Sequence, residues 1–360
     1  VKIKILDWYI IRKFLGTFFF ALALIISIAI VFDISEKIDD FLERDAPLKA
    51  IVFDYYLNFI PYFGNLFSPL FIFISVIFFT SRMAGLTEIV AILASGVSFK
   101  RLLVPYLVAS TILASISLYL NNYVIPHSNT KRLEFETKYI KNPFIYRNRH
   151  VHRQIAPGQF IYFESFNNVD RIGYQFSYER MKDGKMVFKL LSERILWDSL
   201  KNQWTLENYF ARTIDGMHET IRTGYRMDTT LAFHPAEFNR RTNFIETMDT
   251  PELNDYIKAE LLRGSEEVPF YLVEKHRRIS LPFSTFILTI IGVSLSSRKV
   301  RGGIGVQIGV GILLSFTYIM FMQVSQTFAT NGNLPAWLAL WIPNMVYAVI
   351  AIVLLRKAAK

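Results

Sequence analysis

Apolar residues along this chain are gathered into long uninterrupted runs. Phe14–Phe32 is uncharged over 19 residues, Tyr55–Ser81 over 27 and Leu102–Leu120 over 19. Ile279–Leu295 is a fourth run, and residues 302–355 hold no Asp, Glu, Lys, Arg or His over 54 positions. A helix crosses roughly 30 Å of hydrocarbon with about 20 apolar residues. The last run therefore holds two crossings. Ala329-Thr-Asn-Gly-Asn-Leu-Pro335 is the turn that splits it into Ile304–Phe328 and Ala336–Leu355. The pattern predicts six transmembrane helices. The first run is too long for a signal peptide and no Ala-x-Ala cleavage pattern follows it, so it reads as a retained helix.

Residues 131–278 change character, being as charged as a soluble domain and patterned in short alternating strands. Phe160-Ile-Tyr-Phe163 is a short apolar strand. Asp183-Gly184 and Asp215-Gly216 sit between β-rich runs and signal hairpins. Ile195-Leu-Trp197 and Trp204-Thr-Leu206 flank a polar turn. Regular short strands predict a sandwich or jelly roll. Thr250-Pro251-Glu252 starts a helix that Leu253, Ile257 and Leu261 carry at spacing four and Gly264 closes. A second start at Ser265-Glu266-Glu267 leads into the fourth span. The expected fold is an α-helical membrane protein with six transmembrane helices (3+3) and an inserted β-jelly-roll-like domain. Residues 1–127 hold helices one to three, with a short helix near 85–96. Residues 128–275 form the β domain with its helical flank, and 276–360 hold helices four to six.

Composition sharpens this. Hydrophobic residues are 52%, charged residues 19% and cysteines absent, which excludes disulfides, cysteine zinc sites and cysteine nucleophiles. The net charge of +10 raises nucleic acid as a partner, but its placement argues against one. With the N-terminus inside, the inner pieces carry Lys2, Lys4, Arg12, Lys13, Arg82, Lys100, Arg101, Arg298, Lys299, Arg301, Arg356, Lys357 and Lys360. The short outer loops carry only Lys37, Arg44 and Lys49. The positive-inside rule then expects both termini in the cytoplasm and the 121–278 segment outside.

The membrane cores carry no charged residues, which counts against proton pumps, ion-coupled carriers and intramembrane proteases. Asp54 reads as a solvated or capping carboxylate at a span's edge. Gly303-Ile-Gly305 fails as a dinucleotide loop, because Ile308 stands where the third glycine belongs. Gly305-x-x-x-Gly309 reads instead as a small-residue face for close helix packing. His150-x-His152 lacks further metal ligands at suitable spacing, and six scattered histidines form no Ser/His/Asp pattern. No cofactor is expected.

Two segments hold more. Ile34, Ile38, Phe41 and Leu42 extend the first span outward as an amphipathic helix, either interfacial or part of a substrate mouth or partner contact. Thr87–Gly96 forms a short helix in the inner loop. Glu88 lies in its first turn, its apolar face is Ile89, Ile92 and Leu93, and Gly96 stops it. It is either a capped connector or, as its apolar face favours, a helix that fills a groove on a partner.

The stretch Glu88–Gly96 matches a known pattern together with Leu6-Asp-Trp-Tyr9, Pro69, His276-Arg-Arg-Ile279, Gly302-Gly303, Tyr318 and Trp341-Ile-Pro-Asn344. In this order, over nearly the whole chain, these residues resemble the lipopolysaccharide-export permease family of the LptF/LptG type, and the start is more like the G-type subunit. The resemblance implies a half-transporter of an ABC exporter in the bacterial inner membrane, with its large domain periplasmic. It is then not an enzyme, since a cytoplasmic ATPase dimer hydrolyses ATP. The implied partners are a paralogous permease, that ATPase and a single-span periplasmic jelly-roll protein, with lipopolysaccharide as cargo. Glu88, with Ile89, Ile92, Leu93 and Gly96, takes the ATPase-coupling position. G-type members carry basic residues for lipid phosphates at the outer end of the first span, where only Lys37 fits here. Phe160 and Phe163 are candidates for lining the lipid path. The 32 Phe residues, largely in the spans, suit an apolar cavity. The rival expectation is a membrane-bound lipid-modifying enzyme with an outer β domain, and a third is an assembly scaffold.

Overall fold

The computed structural model describes residues 4–140, 149–238, 242–298 and 303–358. Lys2, Lys299, Arg301, Gly302 and Lys360, all invoked above, lie outside the described residues. Among the described residues, six helical stretches are long and apolar enough to cross a membrane. Hydrocarbon offers the backbone no partner, so each run closes its own hydrogen bonds as a helix.

The first is α1 (Ile5–Glu43), a single helix of 39 residues. Its start is capped by Asp7, whose carboxylate accepts the Lys4 N–H at 2.8 Å. The second runs from α2 (Leu48–Ala50) through a π-helical stretch, Ile51–Tyr56, into α3 (Leu57–Gly85). A tight turn leads to α4 (Glu88–Ala94). The third crossing is α5 (Phe99–Tyr119), joined by the π-helical Leu120–Val124 to α6 (Ile125–Tyr139). After the β strands and α7 (Thr250–Leu262) come α8 (Val268–Ser296), α9 (Gly303–Thr330) and α10 (Ala336–Ala358). Gly332, at φ 75°, makes the turn between the last two.

The chain divides into two compact units. One comprises Val1–Ile140, Ile245–Thr250 and Pro269–Lys360, the other Lys141–Phe244 and Pro251–Val268. In the first unit α3 is the divider. Ile72, Phe79 and Met83 pack with α1 and α5, Phe73 and Ile77 with the helices α8 to α10, and Val76 sits between, reaching Gly292 of α8. Close approach of these helices uses glycine, though not the pair expected. A Cβ on Gly311 would lie 2.3 Å from Ile77 Cδ1, and one on Gly292 would lie 2.8 Å from Val76 Cγ1. Gly305 and Gly309 meet nothing within 4 Å. The expected small-residue face is therefore not what packs within this chain; the contact lies half a turn further on, where α9 reaches α3. Buried polar pairs tie the helices together. Tyr318 donates to Asn344 Oδ1 at 2.8 Å, and Asn344 donates to the Ser280 carbonyl at 3.0 Å.

In the second unit, β1 (Arg149–Ala156), β2 (Gln159–Asn167), β3 (Ile172–Lys182), β4 (Lys185–Asp198), β5 (Gln203–Asp215) and β6 (His218–Thr229) form one antiparallel sheet in sequence order. The inserted antiparallel β domain is as expected. The connectivity is an up-and-down meander, because short turns join neighbours throughout. Asp183 and Gly184, both at positive φ, make the β3–β4 hairpin. Trp197 and Trp204 face each other across β4 and β5 with ring centroids 5.0 Å apart. One face of the sheet buries Ile161, Phe163, Phe176, Leu190, Ile195, Trp204 and Leu206 against Phe233 and Phe238. The Trp204 indole N–H is satisfied by the Phe233 carbonyl at 3.1 Å.

Helix α7 packs with Leu253 and Ile257, as its spacing predicts, but Leu261 is exposed and Glu260 is buried in its place. Arg263 binds Glu260 at 3.2 Å, and Arg153 lies 3.9 Å from it, so paired charge displaces the expected leucine.

Candidate functional site

The short helix α4 is held on one side and open on the other. Thr87, at φ 59°, turns the chain sharply out of α3. Ile89 is buried in the core that Ile10, Ile11, Phe14, Met83 and Phe99 build, and Ile92 packs against that core half-buried. The Tyr9 hydroxyl donates to Glu88 Oε2 at 3.4 Å. Leu93 is exposed, as are Val90 and, in the preceding turn, Leu86. The three apolar residues expected to face outward thus divide. Ile89 is consumed by the bundle, Ile92 straddles its edge and Leu93 faces away, joined by Val90. Gly96, at φ 87°, closes the element in a conformation that suits glycine.

The same end of the bundle is tied a second time. Arg101, in the first turn of α5, binds Asp7 through both terminal nitrogens at 2.7 and 2.6 Å. This fork-to-carboxylate geometry fixes orientation as well as distance. Tyr9 and Asp7 belong to the Leu-Asp-Trp-Tyr start, but only the fold brings Glu88 and Arg101 to them.

Midway along the helices, α1, α3 and α5 enclose an apolar cavity of about 520 Å³. Phe18, Leu22, Ile26, Ile60 and Leu113 line it. Its one strongly polar wall residue, Asn65, accepts from Ser117 Oγ at 2.7 Å and donates to Asn121 Oδ1 at 3.0 Å. The Asn65 amide is thereby satisfied at both its oxygen and its nitrogen, within a wall that is otherwise mostly apolar.

At the far end of α1, Lys37 is engaged within its own chain. Its ammonium lies 2.5 Å from Asp33 Oδ1 and also bonds the Tyr55 hydroxyl. Tyr56 donates to the other Asp33 oxygen at 3.0 Å. The packed stripe of this segment is Asp33, Lys37 and Phe41, four residues apart, whereas Ile34, Ile38 and Leu42 are exposed. The tyrosines decide the rotation, because they offer hydroxyls to the Asp–Lys pair and a ring to Phe41.

Beyond it lies an ionic cluster that the spans' lack of charge hides. Arg277 binds Glu274 at 2.6 Å and lies 3.8 Å from Glu246, and Arg278 binds Glu274 at 3.1 Å. Tyr62 and Asn129 each donate to Glu246 at 3.4 Å. Burial, and then the charge of Glu274, push the Glu246 carboxyl above its ordinary range. The i,i+3 spacing of Glu274 and Arg277 is legible in sequence; the arrival of Glu246 is not.

In the β unit, Phe163 is fully buried, with Phe166, Phe176, Phe233 and Phe238 around its ring. Phe160 lies on the opposite face and is 41% exposed. Past this plug the inner face carries Tyr178, Leu190, Ala211 and Phe188, of which Ala211 and Phe188 are only partly buried. The two histidines, His150 and His152, gather on Tyr162, whose hydroxyl shares a 2.9 Å hydrogen bond with His150 Nδ1.

The family model described as lipopolysaccharide export system permease LptF/LptG matches residues 8–357. No curated protein matches the chain.

Proposed function

Since the chain belongs to the lipopolysaccharide export permease family LptF/LptG, we propose that it is one half of an ATP-driven exporter in the inner membrane. It pairs with a paralogous permease, draws lipopolysaccharide from the membrane and passes it toward the outer membrane. A cytoplasmic ATPase dimer supplies the energy, and a single-span jelly-roll protein receives the lipid. Both termini are cytoplasmic and the β domain periplasmic, a reading supported by the thirteen-to-three division of Lys and Arg.

The observation that carries this reading is the seating of α4. A connector has no need of an exposed apolar edge, and a docking helix must be anchored at its back. Here Ile89 and the Tyr9–Glu88 contact anchor it, while Val90 and Leu93 stay open for an ATPase groove. Because the anchor is α1 itself, displacement of α4 by the ATPase moves a helix that also walls the apolar cavity. The cavity accepts an acyl chain and the inner face of the sheet receives it next. Lys37, already neutralised by Asp33, serves a headgroup less as a free cation than as part of a neutral, hydroxyl-lined cluster. The family does not favour the lipid-modifying alternative.

The test is reversal of one charge. Glu88→Lys in the reconstituted complex retains insertion and folding but loses copurifying ATPase or lipid-stimulated hydrolysis, while Glu88→Gln is milder. Desolvated charge reversals cost several kcal/mol. Unchanged ATPase binding and lipid transport in Glu88→Lys would make α4 a connector.

A further inference from the structure

At the end of α1 that carries Asp7, a groove of about 660 Å³ runs along the outside of the helix, with Tyr9, the residue that also meets Glu88 of α4, on its edge. Trp8, Arg12, Gly16 and Phe20 mark its length at helical spacing, and Phe78 of α3 forms the facing wall. Gly16 is its floor: a Cβ there meets no atom within 4 Å, so the backbone itself lies open. Arg12 and Lys13 stand immediately before the uncharged run that begins at Phe14, which is the depth of lipid headgroups. Trp8, 61% exposed, occupies the interfacial position that tryptophan favours. From Arg12 to Phe20 the helix rises about 12 Å, a length suited to the upper half of an acyl chain.

The charges separate this groove from an ordinary lipid-facing surface. Among the described residues, Arg12 has no ion pair and Lys13 has only the face of the Tyr9 ring, 5.9 Å away. At this end Arg101 is engaged by Asp7 and Arg298 by the carbonyls of Lys357 and Ala358, whereas Lys100, Arg356 and Lys357 also have no ion pair among the described residues but do not line the groove. Arg82, one turn along α3 from Phe78, adds a third exposed cation without an ion pair among the described residues. Unpaired cations at headgroup depth, set over an apolar slot with a bare backbone floor, are complementary to one ligand class.

We propose that this groove is a binding site for an anionic glycerophospholipid of the leaflet at that end. The phosphate sits at Arg12 and Lys13, and one acyl chain lies over Gly16 between Phe20 and Phe78. Basic sites at membrane helix ends recognise anionic lipids in this way, each cation contributing about a fivefold preference. The inference rests only on the chain spanning a membrane and is independent of what it exports.

Trp8 reports on the site directly. In a Trp337→Phe/Trp341→Phe variant of the full chain, Trp8 is the one tryptophan left in the helical unit. Its fluorescence is followed in phosphatidylcholine vesicles containing brominated phosphatidylglycerol or, in parallel, brominated phosphatidylcholine. The proposal expects half-maximal quenching at a mole fraction on the order of tenfold lower for the anionic lipid. Arg12→Gln with Lys13→Gln, both at exposed positions, removes that preference. Gly16→Phe, which adds its ring to open space, excludes the chain and lowers quenching by the anionic lipid. Equal quenching by the two lipids, a preference that survives the double Gln variant, or no quenching because a copurifying protein fills the groove would each overturn it.

Discussion

Arg101 holds Asp7 in a two-pronged grip across 94 positions of sequence, so the starts of α1 and α5 are fixed to each other beside α4. Either partner alone is a charge whose counterpart has gone. Asp7→Asn and Arg101→Gln are each expected to lower the melting temperature of the detergent-solubilised protein and weaken coupling. The exchanged pair, Asp7→Arg with Arg101→Asp, should recover part of the loss. A double variant no better than the worse single one would show that the contact contributes no pairwise stabilisation.

Single cysteines can be placed in a chain that has none. Ser98, exposed at the start of α5, and Asp183, in the β3–β4 hairpin, lie on opposite sides of the proposed topology. Ser98→Cys should react with an impermeant thiol reagent only from the cytoplasm and Asp183→Cys only from the periplasm. Labelling of both from one side would refute the orientation.

The raised carboxyl of Glu246 gives a pH signature. Its folded-state value lies above its unfolded one, near 4.3, so the folded state binds the proton more tightly. Burying the ionised form is therefore unfavourable at neutral pH, and that penalty is relieved as pH falls through the folded value toward the unfolded one. Melting temperatures of the parent and of Glu246→Gln should converge as pH is lowered through the raised folded-state value, the variant being the less pH-dependent. Parallel profiles would mean that Glu246 does not titrate in this way.

Phe163 and Phe160 are neighbours in sequence with opposite duties. Phe163→Ala opens a hole in a packed aromatic cluster and should cost about 3–5 kcal/mol. Phe160→Ala, on the exposed face, should stay within about 1 kcal/mol. Limited proteolysis of the β unit orders the two. A photo-crosslinker at Ala211, partly buried on the inner face, should capture lipid only during ATP turnover, whereas one at Phe160 should capture little. Equal capture at both would place the path elsewhere.

The six crossings were legible because hydrocarbon penalises charge so heavily that the runs mark themselves. The Asp-Gly hairpins were legible because few residues accept positive φ. What escaped was rotation about helix axes. Ile34, Ile38, Phe41 and Leu42 share an amphipathic pattern, yet Phe41 packs together with Asp33 and Lys37, because Tyr55 and Tyr56 supply hydroxyls from the next helix, while Ile34 and Ile38 stay exposed. Ile89 fits a partner-facing apolar pattern by its spacing, yet Ile10 and Phe14 surround it. Leu261 fitted the period of α7, but Arg153 and Arg263 drew Glu260 inward instead. In each case a specific partner on another element outweighed the local apolar pattern.

The unbroken length of α1 has a mechanical consequence. Thirty-nine residues at 1.5 Å each make a rod of about 58 Å, roughly twice the hydrocarbon thickness. Tilting such a rod by about 5° about one end sweeps the other through about 5 Å, close to the width of a hydrocarbon chain. In the proposed exporter, a displacement at Tyr9 smaller than a bond length would be geared up at Lys37 into a step of several ångström, the scale of a lipid tail.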